Sequence, residues 1–185
     1  MGGAATSDGA TSTVGAGGAG GAGNPGCGPI VAGDPSPCLS GGSVVCFDGD
    51  ANDYVHPGMG KITRAGTSWI TPPNFGGTAL DTLTLQIDPD NSDQDSWWTL
   101  DFSARQMGQN LTAGEYDNAE RYPFEPPGAP GLDVFGDGKG CNTLLGDFQV
   151  TSVDATSDAI IQFTATFEQH CEGGVAVLRG CVHAE

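Results

Sequence analysis

Six cysteines constrain the fold of this chain more than any other feature of its sequence. The count is even and no two cysteines form a CxxC pair, so we predict three disulfides made in an oxidising compartment. The protein is therefore expected to be secreted or to lie at the outer cell surface. Several pairings are compatible with this count, and the one we favour is Cys27–Cys38, Cys46–Cys181 and Cys141–Cys171.

Alternation of apolar and polar residues predicts strands over most of the chain after residue 42. The clearest run places Ile161, Phe163, Ala165 and Phe167 on one face of a strand. Turn signals rich in Gly, Asp and Pro separate this run from similar ones, and no segment has a convincing helical period. We predict an all-β fold, a β-sandwich with jelly-roll or immunoglobulin-like topology.

Composition divides the chain into three segments. Residues 1–25 are mostly Gly, Ala, Ser and Thr, and are predicted to form a disordered, flexible tether. Residues 26–42 are predicted to be a Pro-, Gly- and Cys-rich loop, and residues 43–185 the β-sandwich domain. No window is long and apolar enough for a transmembrane span. Met1 is not followed by a secretion signal, so we infer that one has been removed. A lipid anchor at the native N-terminus is one reason for such a tether.

The charge of the chain narrows the range of partners. Twenty-three acidic residues against six basic ones give a formal net charge of −17. Such a chain repels phosphate backbones and anionic lipids, so we expect neither nucleic-acid binding nor docking on anionic membranes. Cations, basic partners and neutral polymers such as glycans remain, as does a simple solubilising role for the charge.

Two acidic segments are candidates for binding Ca²⁺, the one cofactor that the sequence suggests. Both hold several oxygen-bearing side chains at close spacing, as calcium loops do. The first is not an EF-hand, because Asp53 and Met59 occupy the positions where Gly and Glu are required. Both segments are equally compatible with solvated turns. The candidate ligands are Asp48, Asp50, Asn52 and Asp53 in the first segment, and Asp88, Asp90, Asp93 and Asp95 in the second.

No arrangement typical of catalysis stands out. No serine lies in a nucleophile elbow, and no glycine-rich loop has the context of a phosphate site. A zinc site made from His170, His183 and thiols would need reduced cysteines, which conflicts with the predicted disulfides. With so many acids, a carboxylate pair suited to hydrolysis arises by chance, so the number of acids is not evidence for one. We therefore predict no catalytic residues.

Aromatic residues offer a second kind of binding site. Trp97 and Trp98 are adjacent in a predicted strand, so their side chains point to opposite faces. One of them is expected in the core, and the other could stack on a sugar ring. Tyr54 is a further candidate for ligand binding. Scattered exposed aromatics are also common without any function.

A dense set of short motifs occupies residues 80–182. They read WWTLDF (97–102), LTAGEY (111–116), AERYPF (119–124), PGLD (130–133), GKGCN (138–142), GDF (146–148), FEQHCEG (167–173) and LRG (178–180). Together they resemble an uncharacterised domain of exported bacterial proteins. The resemblance implies a secreted β-sandwich module of an accessory kind rather than a catalytic one. It also implies that Cys141 pairs with Cys171.

The motifs also suit structural roles. Arg121 is one of six basic residues and lies in a strand-like segment, so it needs an acidic partner if it is buried. Asp133, Glu168 and Glu172 are the candidates for that partner. The motifs are thus also compatible with a purely structural role, in which they maintain the fold and form no functional site.

Three functions follow from these observations. The first is a non-enzymatic extracellular or cell-surface β-sandwich module, for which Ca²⁺ is the candidate cofactor and a glycan or protein at the cell surface is the candidate partner. The second is a carbohydrate-binding module that uses exposed aromatics. The third, less favoured, is a carboxylate-dependent hydrolase. A strip of exposed aromatics would favour the second, and a pocket that holds two close carboxylates would favour the third.

Overall fold

Nine strands make up nearly all of the regular structure in the described part of the chain. The computed structural model describes residues 27–39, 41–64, 80–87, 97–155 and 160–185. The predicted tether therefore lies outside the described residues. The strands are β1 (Ser43–Gly49), β2 (Gly58–Arg64), β3 (Thr82–Ile87), β4 (Trp98–Ser103), β5 (Gly114–Arg121), β6 (Gly131–Gly136), β7 (Leu144–Ala155), β8 (Ile160–Cys171) and β9 (Leu178–Ala184).

All nine strands belong to one sheet, in the order β2-β1-β9-β8-β7-β5-β6-β4-β3. Neighbours are antiparallel except β5 and β6, which are parallel. The predicted all-β class is confirmed. The strands form one curled sheet instead of two separately hydrogen-bonded ones. The only helical segments among the described residues are two single 3₁₀ turns, and neither is long and apolar enough to cross a membrane.

Aromatic rings from distant strands meet inside the curl of the sheet. Phe102 on β4 lies 5.3 Å from Phe148 on β7 and 5.2 Å from Phe163 on β8, measured between ring centroids. Trp98 on β4 packs at 4.4 Å on Phe47 of β1. β1 and β4 lie near opposite ends of the strand order, so these contacts show that one half of the sheet packs over the other.

The junction between the two halves is narrow. β5 pairs with β6 over two residue pairs, Glu120 with Gly131 and Arg121 with Leu132. Beyond that point the buried side chain of Gln169, from β8, bonds the backbone of β6. Its amide nitrogen donates to the Val134 carbonyl at 2.8 Å, and its amide oxygen accepts from the Val134 N–H at 3.0 Å. A side chain thus satisfies backbone groups that would otherwise need a neighbouring strand.

The cysteines pair differently from our prediction. The disulfides are Cys27–Cys46, Cys38–Cys181 and Cys141–Cys171, so the third predicted pair is confirmed and the other two are wrong. Cys46 and Cys181 are directly opposed on β1 and β9. They lie in a cluster separate from the main core, against the segment 27–39, which we call the N-terminal strap. Cys46 and Cys181 are not bonded to each other, and each forms a disulfide with a cysteine of the strap.

The strap covers this part of the sheet with a small core of its own. Ile30 and Val44 are buried in it with Cys38, Cys46 and Cys181. The predicted loop at 26–42 is therefore pinned to the sheet at two points, and not closed on itself by a Cys27–Cys38 bond.

Gln169→Leu should destabilise the fold markedly. The substitution leaves the buried N–H and C=O of Val134 without partners, and each orphaned group costs about 1–3 kcal/mol. We expect the free energy of unfolding in urea to fall by about 2–5 kcal/mol. Gln162→Leu, on the same strand but half-buried, is the control, expected to change stability by no more than about 0.5 kcal/mol. Equal effects of the two substitutions would contradict the bridging role of Gln169.

Candidate ligand-binding cleft

A polar layer lies on the face of β3, β4 and β6 that points away from the core. On β4 the residues Leu100 and Phe102 face the core, so Asp101 between them faces outward. Asp101 is directly opposed to Thr84 on β3 and to Asp133 on β6. All six residues of β4 are nevertheless buried, so the strand is covered on both faces.

The cover over the outward face comes from the segment between β5 and β6. The chain leaves β5 at Arg121 and returns at Gly131. A tight turn follows β5, in which the Phe124 N–H donates to the Arg121 carbonyl at 2.8 Å. Further along, Glu125 is buried against Gly131, where a Cβ would lie 2.9 Å from the Glu125 carboxyl carbon. Only glycine at position 131 leaves room for this carboxylate.

An open cleft of about 380 Å³ remains beside this cover. Strands β4 and β6 form its floor, the start of the covering segment forms one wall, and the loop before β7 forms another. The lining residues are Asp101, Arg121, Tyr122, Pro123, Asp133, Phe135, Gly140, Cys141 and Asn142.

Buried carboxylates dominate the chemistry of the cleft and its surroundings. Asp101 is 7% exposed, Asp133 3% and Glu125 4%. Thr84 donates its hydroxyl to Asp101 Oδ1 at 2.5 Å, and Arg121 Nε donates to Asp133 Oδ2 at 3.2 Å. The ion pair confirms Asp133 as the partner of Arg121. Asp133 Oδ1 and Glu125 Oε2 are fully buried and have no hydrogen-bond partner.

Burial alters the titration of these groups. Loss of hydration raises the pKa of Asp101 to about 6, opposed by the Thr84 hydroxyl and reinforced by the charges of Asp133 and Glu125. Burial likewise raises the pKa of Asp133 to about 6, although Arg121 opposes the shift. The pKa of Glu125 is also raised, chiefly by burial. The ionised carboxylates are therefore under-solvated and gain from any ligand that donates hydrogen bonds to them.

The wall formed by residues 140–142 is held from the neighbouring β8–β9 turn. Cys141 is bonded to Cys171. The Glu172 carboxylate accepts hydrogen bonds from the N–H of Asn142 at 2.5 Å and from the Thr143 hydroxyl at 3.2 Å. These bonds hold the pKa of Glu172 below its usual range. A disulfide and a carboxylate therefore fix this wall.

Five of the motifs that carry the family resemblance meet at this cleft. WWTLDF supplies Asp101, AERYPF supplies Arg121 and Tyr122, PGLD supplies Asp133, and GKGCN supplies residues 140–142. FEQHCEG supplies Cys171 and Glu172, which hold residues 140–142 in place. The resemblance itself stays a prediction, but its residues are gathered around one feature of the surface.

The two tryptophans occupy opposite faces, as predicted. Trp98 is 2% exposed inside the core, so it is the core member of the pair and not the one available to bind a ligand. Trp97 is 47% exposed, and its ring meets the Phe135 ring edge-on with centroids 5.9 Å apart. Since Phe135 lines the cleft, Trp97 is next to a lining residue without being one itself. Tyr54 is exposed in the β1–β2 connection and does not line the cleft.

The first acidic segment forms internal bonds. Asp48 accepts from the Ile30 N–H at 3.0 Å, which attaches the strap. Asp50 accepts from the Val177 N–H at 3.2 Å and pairs with Arg179 at 3.3 Å. Asp53 is buried and accepts from the N–H groups of two following residues, whereas Asn52 is exposed. These three carboxylates act as structural acceptors.

The other predicted metal ligands belong to the second acidic segment. Asp88, Asp90, Asp93 and Asp95 fall outside the described residues, so calcium binding stays a prediction. In the described part of the chain, the one group of three or more potential ligands with atoms close together is Cys38, Cys46 and Cys181. All six cysteines are in disulfides, so no thiol is left for the zinc site that we considered.

Comparison of the chain with protein-family models, with curated proteins and with solved structures finds no match.

Our sequence analysis did not select Asp101 or Asp133 as site residues. Alternation along 97–102 already placed Asp101 opposite to the core residues, which is a usable signal. That Asp101 would face Asp133 depends on the pairing of β4 with β6, which no local pattern reveals.

Asp53→Ala separates a structural role for the first acidic segment from a calcium-binding one. The substitution removes the acceptor for the Val55 and His56 N–H groups, so we expect a loss of about 1–2 kcal/mol. Thermal unfolding in Ca²⁺ and in EDTA should show the same loss, with Asn52→Ala as the nearly neutral control. A loss confined to the Ca²⁺ sample would instead make Asp53 a metal ligand.

Asp101→Asn should stabilise the protein at neutral pH. The folded pKa of about 6 lies above the ordinary value of 3.8, so folding binds this proton more tightly. That contribution is present below about pH 4 and is lost as pH rises through about 6. Asparagine keeps the acceptor for Thr84 and carries no charge. We expect a gain on the order of 1–3 kcal/mol at pH 7.5 that disappears near pH 4, measured by urea unfolding. A gain of the same size at both pH values, or one shared by exposed Asp117→Asn, would contradict this.

Proposed function

We propose that this protein is a non-enzymatic extracellular module that binds a carbohydrate in the cleft lined by Asp101, Tyr122 and Asp133. The observation that carries the proposal is the pair of buried carboxylates that line the cleft, Asp101 and Asp133, of which Asp133 has one oxygen, Oδ1, without a hydrogen-bond partner. Sugar hydroxyls in the cleft would donate hydrogen bonds to these carboxylates.

The rest of the lining suits the same kind of ligand. Tyr122 and Phe135 offer aromatic surface for the C–H groups of a pyranose ring, with exposed Trp97 next to Phe135. Asn142 and Arg121 add further polar groups to the walls. Ligand sites commonly combine apolar surface with a few fixed polar groups in this way.

The extracellular location also belongs to the proposal. Three disulfides fit an oxidising compartment. The charge of −17 favours a neutral or cationic ligand over an anionic one. Calcium at the segment 88–95 would be an additional site of this module and is not needed for the cleft.

A carboxylate-dependent glycoside hydrolase is the second candidate, favoured by the opposed pair Asp101 and Asp133. Both carboxyls line one cleft and both have a raised pKa. Glycoside hydrolysis requires one carboxyl as acid and a second as base or nucleophile. The release of new reducing ends from a bound oligosaccharide would favour this candidate, and unchanged oligosaccharide would favour the binding module.

Binding of a panel of soluble oligosaccharides and polysaccharides tests the proposal. For any glycan of the panel that binds, Asp101→Asn should weaken the binding by roughly tenfold, because the variant loses a charged acceptor. Trp97→Ala should weaken it several-fold through loss of ring contact. Tyr54→Ala removes an exposed aromatic away from the cleft and is the control.

Calorimetric titration of each variant gives the affinities. Since Asp101→Asn is expected to stabilise the fold, lost binding in that variant is not explained by unfolding. Binding that survives both cleft substitutions, or no binding across the panel, would contradict the proposal.

A further inference from the structure

We infer that the saccharide preferred by this cleft carries a protonated amine, as an unacetylated amino sugar does. This inference rests on the proposed function and names the class of sugar that the same site would take. It depends on the charges around the cleft, on the one acceptor that lacks a partner and on the aromatic walls.

Acidic groups outnumber the basic groups that face them. Asp101 and Asp133 line the cleft, and Glu125 is close enough for its charge to act on Asp101. The guanidinium that lines the cleft is Arg121. A second one, Arg105, is exposed and acts on Glu125 and Tyr122 from outside the cleft. An uncharged ligand leaves this excess of negative charge in place.

Arg121 is already occupied by other groups. Its Nε donates to Asp133 Oδ2, its Nη1 donates to the Asn142 carbonyl at 3.4 Å, and its guanidinium lies 5.2 Å from the centroid of the Phe124 ring. The guanidinium is held at one side of Asp133 and leaves Oδ1 without a donor.

An ammonium group interacts more strongly with these carboxylates than a hydroxyl group does. Both groups donate hydrogen bonds to a carboxylate, but an ammonium adds the attraction between two opposite charges, which is strengthened by the low dielectric of a buried site. Asp101 and Asp133 are opposed on β4 and β6 and both line the cleft, so an ammonium in the cleft lies near two carboxylates, one of which has an oxygen without a partner. It replaces the hydration that both carboxylates have lost.

The aromatic lining favours a sugar over a lysine side chain as the source of the ammonium. Tyr122 and Phe135 offer ring surface for the broad apolar face of a pyranose, which a lysine stem covers less well. A second groove, on the outward face of β5, β7 and β8, has several acids in its lining, among them Glu115, Asp117 and Asp147. Because this groove is also acidic, a substitution in it tests whether cations are attracted to any acidic surface of the protein.

The test compares glucosamine oligomers with N-acetylglucosamine oligomers of the same length. Titrations are made between about pH 6.5 and 7, above the pKa of about 6 of Asp101 and Asp133, so that most of each carboxylate is ionised. We expect the free-amine oligomer to bind at least about tenfold more tightly. Asp133→Asn should abolish most of this preference. Asp117→Asn, which removes the same charge from the second groove, should retain it.

Each outcome is decisive. Binding of both oligomers with equal affinity would overturn the inference and leave the proposed function standing. Absence of binding by amino, acetylated and neutral sugars alike would overturn the proposed function itself. A preference lost equally in both variants would indicate attraction to the acidic surface at large, and tighter Asp133-dependent binding of a lysine oligomer would indicate a basic peptide. Both results overturn the inference. The comparison of oligomers on the unmodified protein remains valid if Asp133→Asn does not fold.

Discussion

The bridge from Gln169 to Val134 is the interaction on which the rest of the architecture depends. β5 and β6 pair over two residues, after which β5 ends and its chain moves across the outer face of the sheet. A buried strand edge is costly unless its backbone groups are satisfied. The Gln169 amide supplies a donor and an acceptor at this point, so β5 can end early while β6 continues. The early end of β5 is what frees the chain from Tyr122 to Pro130 to cover β4.

The candidate cleft follows from that departure. A strand with its core residues on one side normally presents its other side to water, where a carboxylate such as Asp101 is well hydrated. Here the covering segment removes that water, and loss of hydration becomes the largest influence on the pKa values of Asp101 and Asp133. The pairing of β4 with β6 places Asp101 opposite Asp133, and the covering segment makes the space around them partly closed. The chemistry of the site is thus a consequence of where one strand stops.

Local patterns were sufficient for part of this result. Period-two alternation predicted the all-β class and the inward side chains of β3, β4 and β8, because apolar residues at every second position mark the buried face of a strand. Ile161 is an exception, exposed at the start of β8. Charge reasoning also predicted that Arg121 would need an acidic partner, and Asp133 was among the three candidates.

Other features depend on contacts between distant residues. The disulfides of the strap were predicted wrongly because sequence proximity favoured Cys27 with Cys38, whereas the strap lies along two strands that present Cys46 and Cys181 side by side. The pairing of β4 with β6 skips β5, so the meeting of Asp101 with Asp133 had no local signal. The first acid-rich segment was predicted to bind calcium because of its composition. In the structure, its residues Asp48, Asp50 and Asp53 accept hydrogen bonds from neighbouring backbone and side-chain groups.

The two disulfides of the strap also determine how the domain would carry mechanical load. A pulling force on the chain before Cys27 enters the sheet through Cys46, in the middle of β1, instead of through the start of that strand. The second bond joins the strap to Cys181, four positions before the last residue, Glu185, so β9 shares the attachment. Tension is therefore applied within two adjacent hydrogen-bonded strands, at positions directly opposite each other, instead of at the end of a single strand.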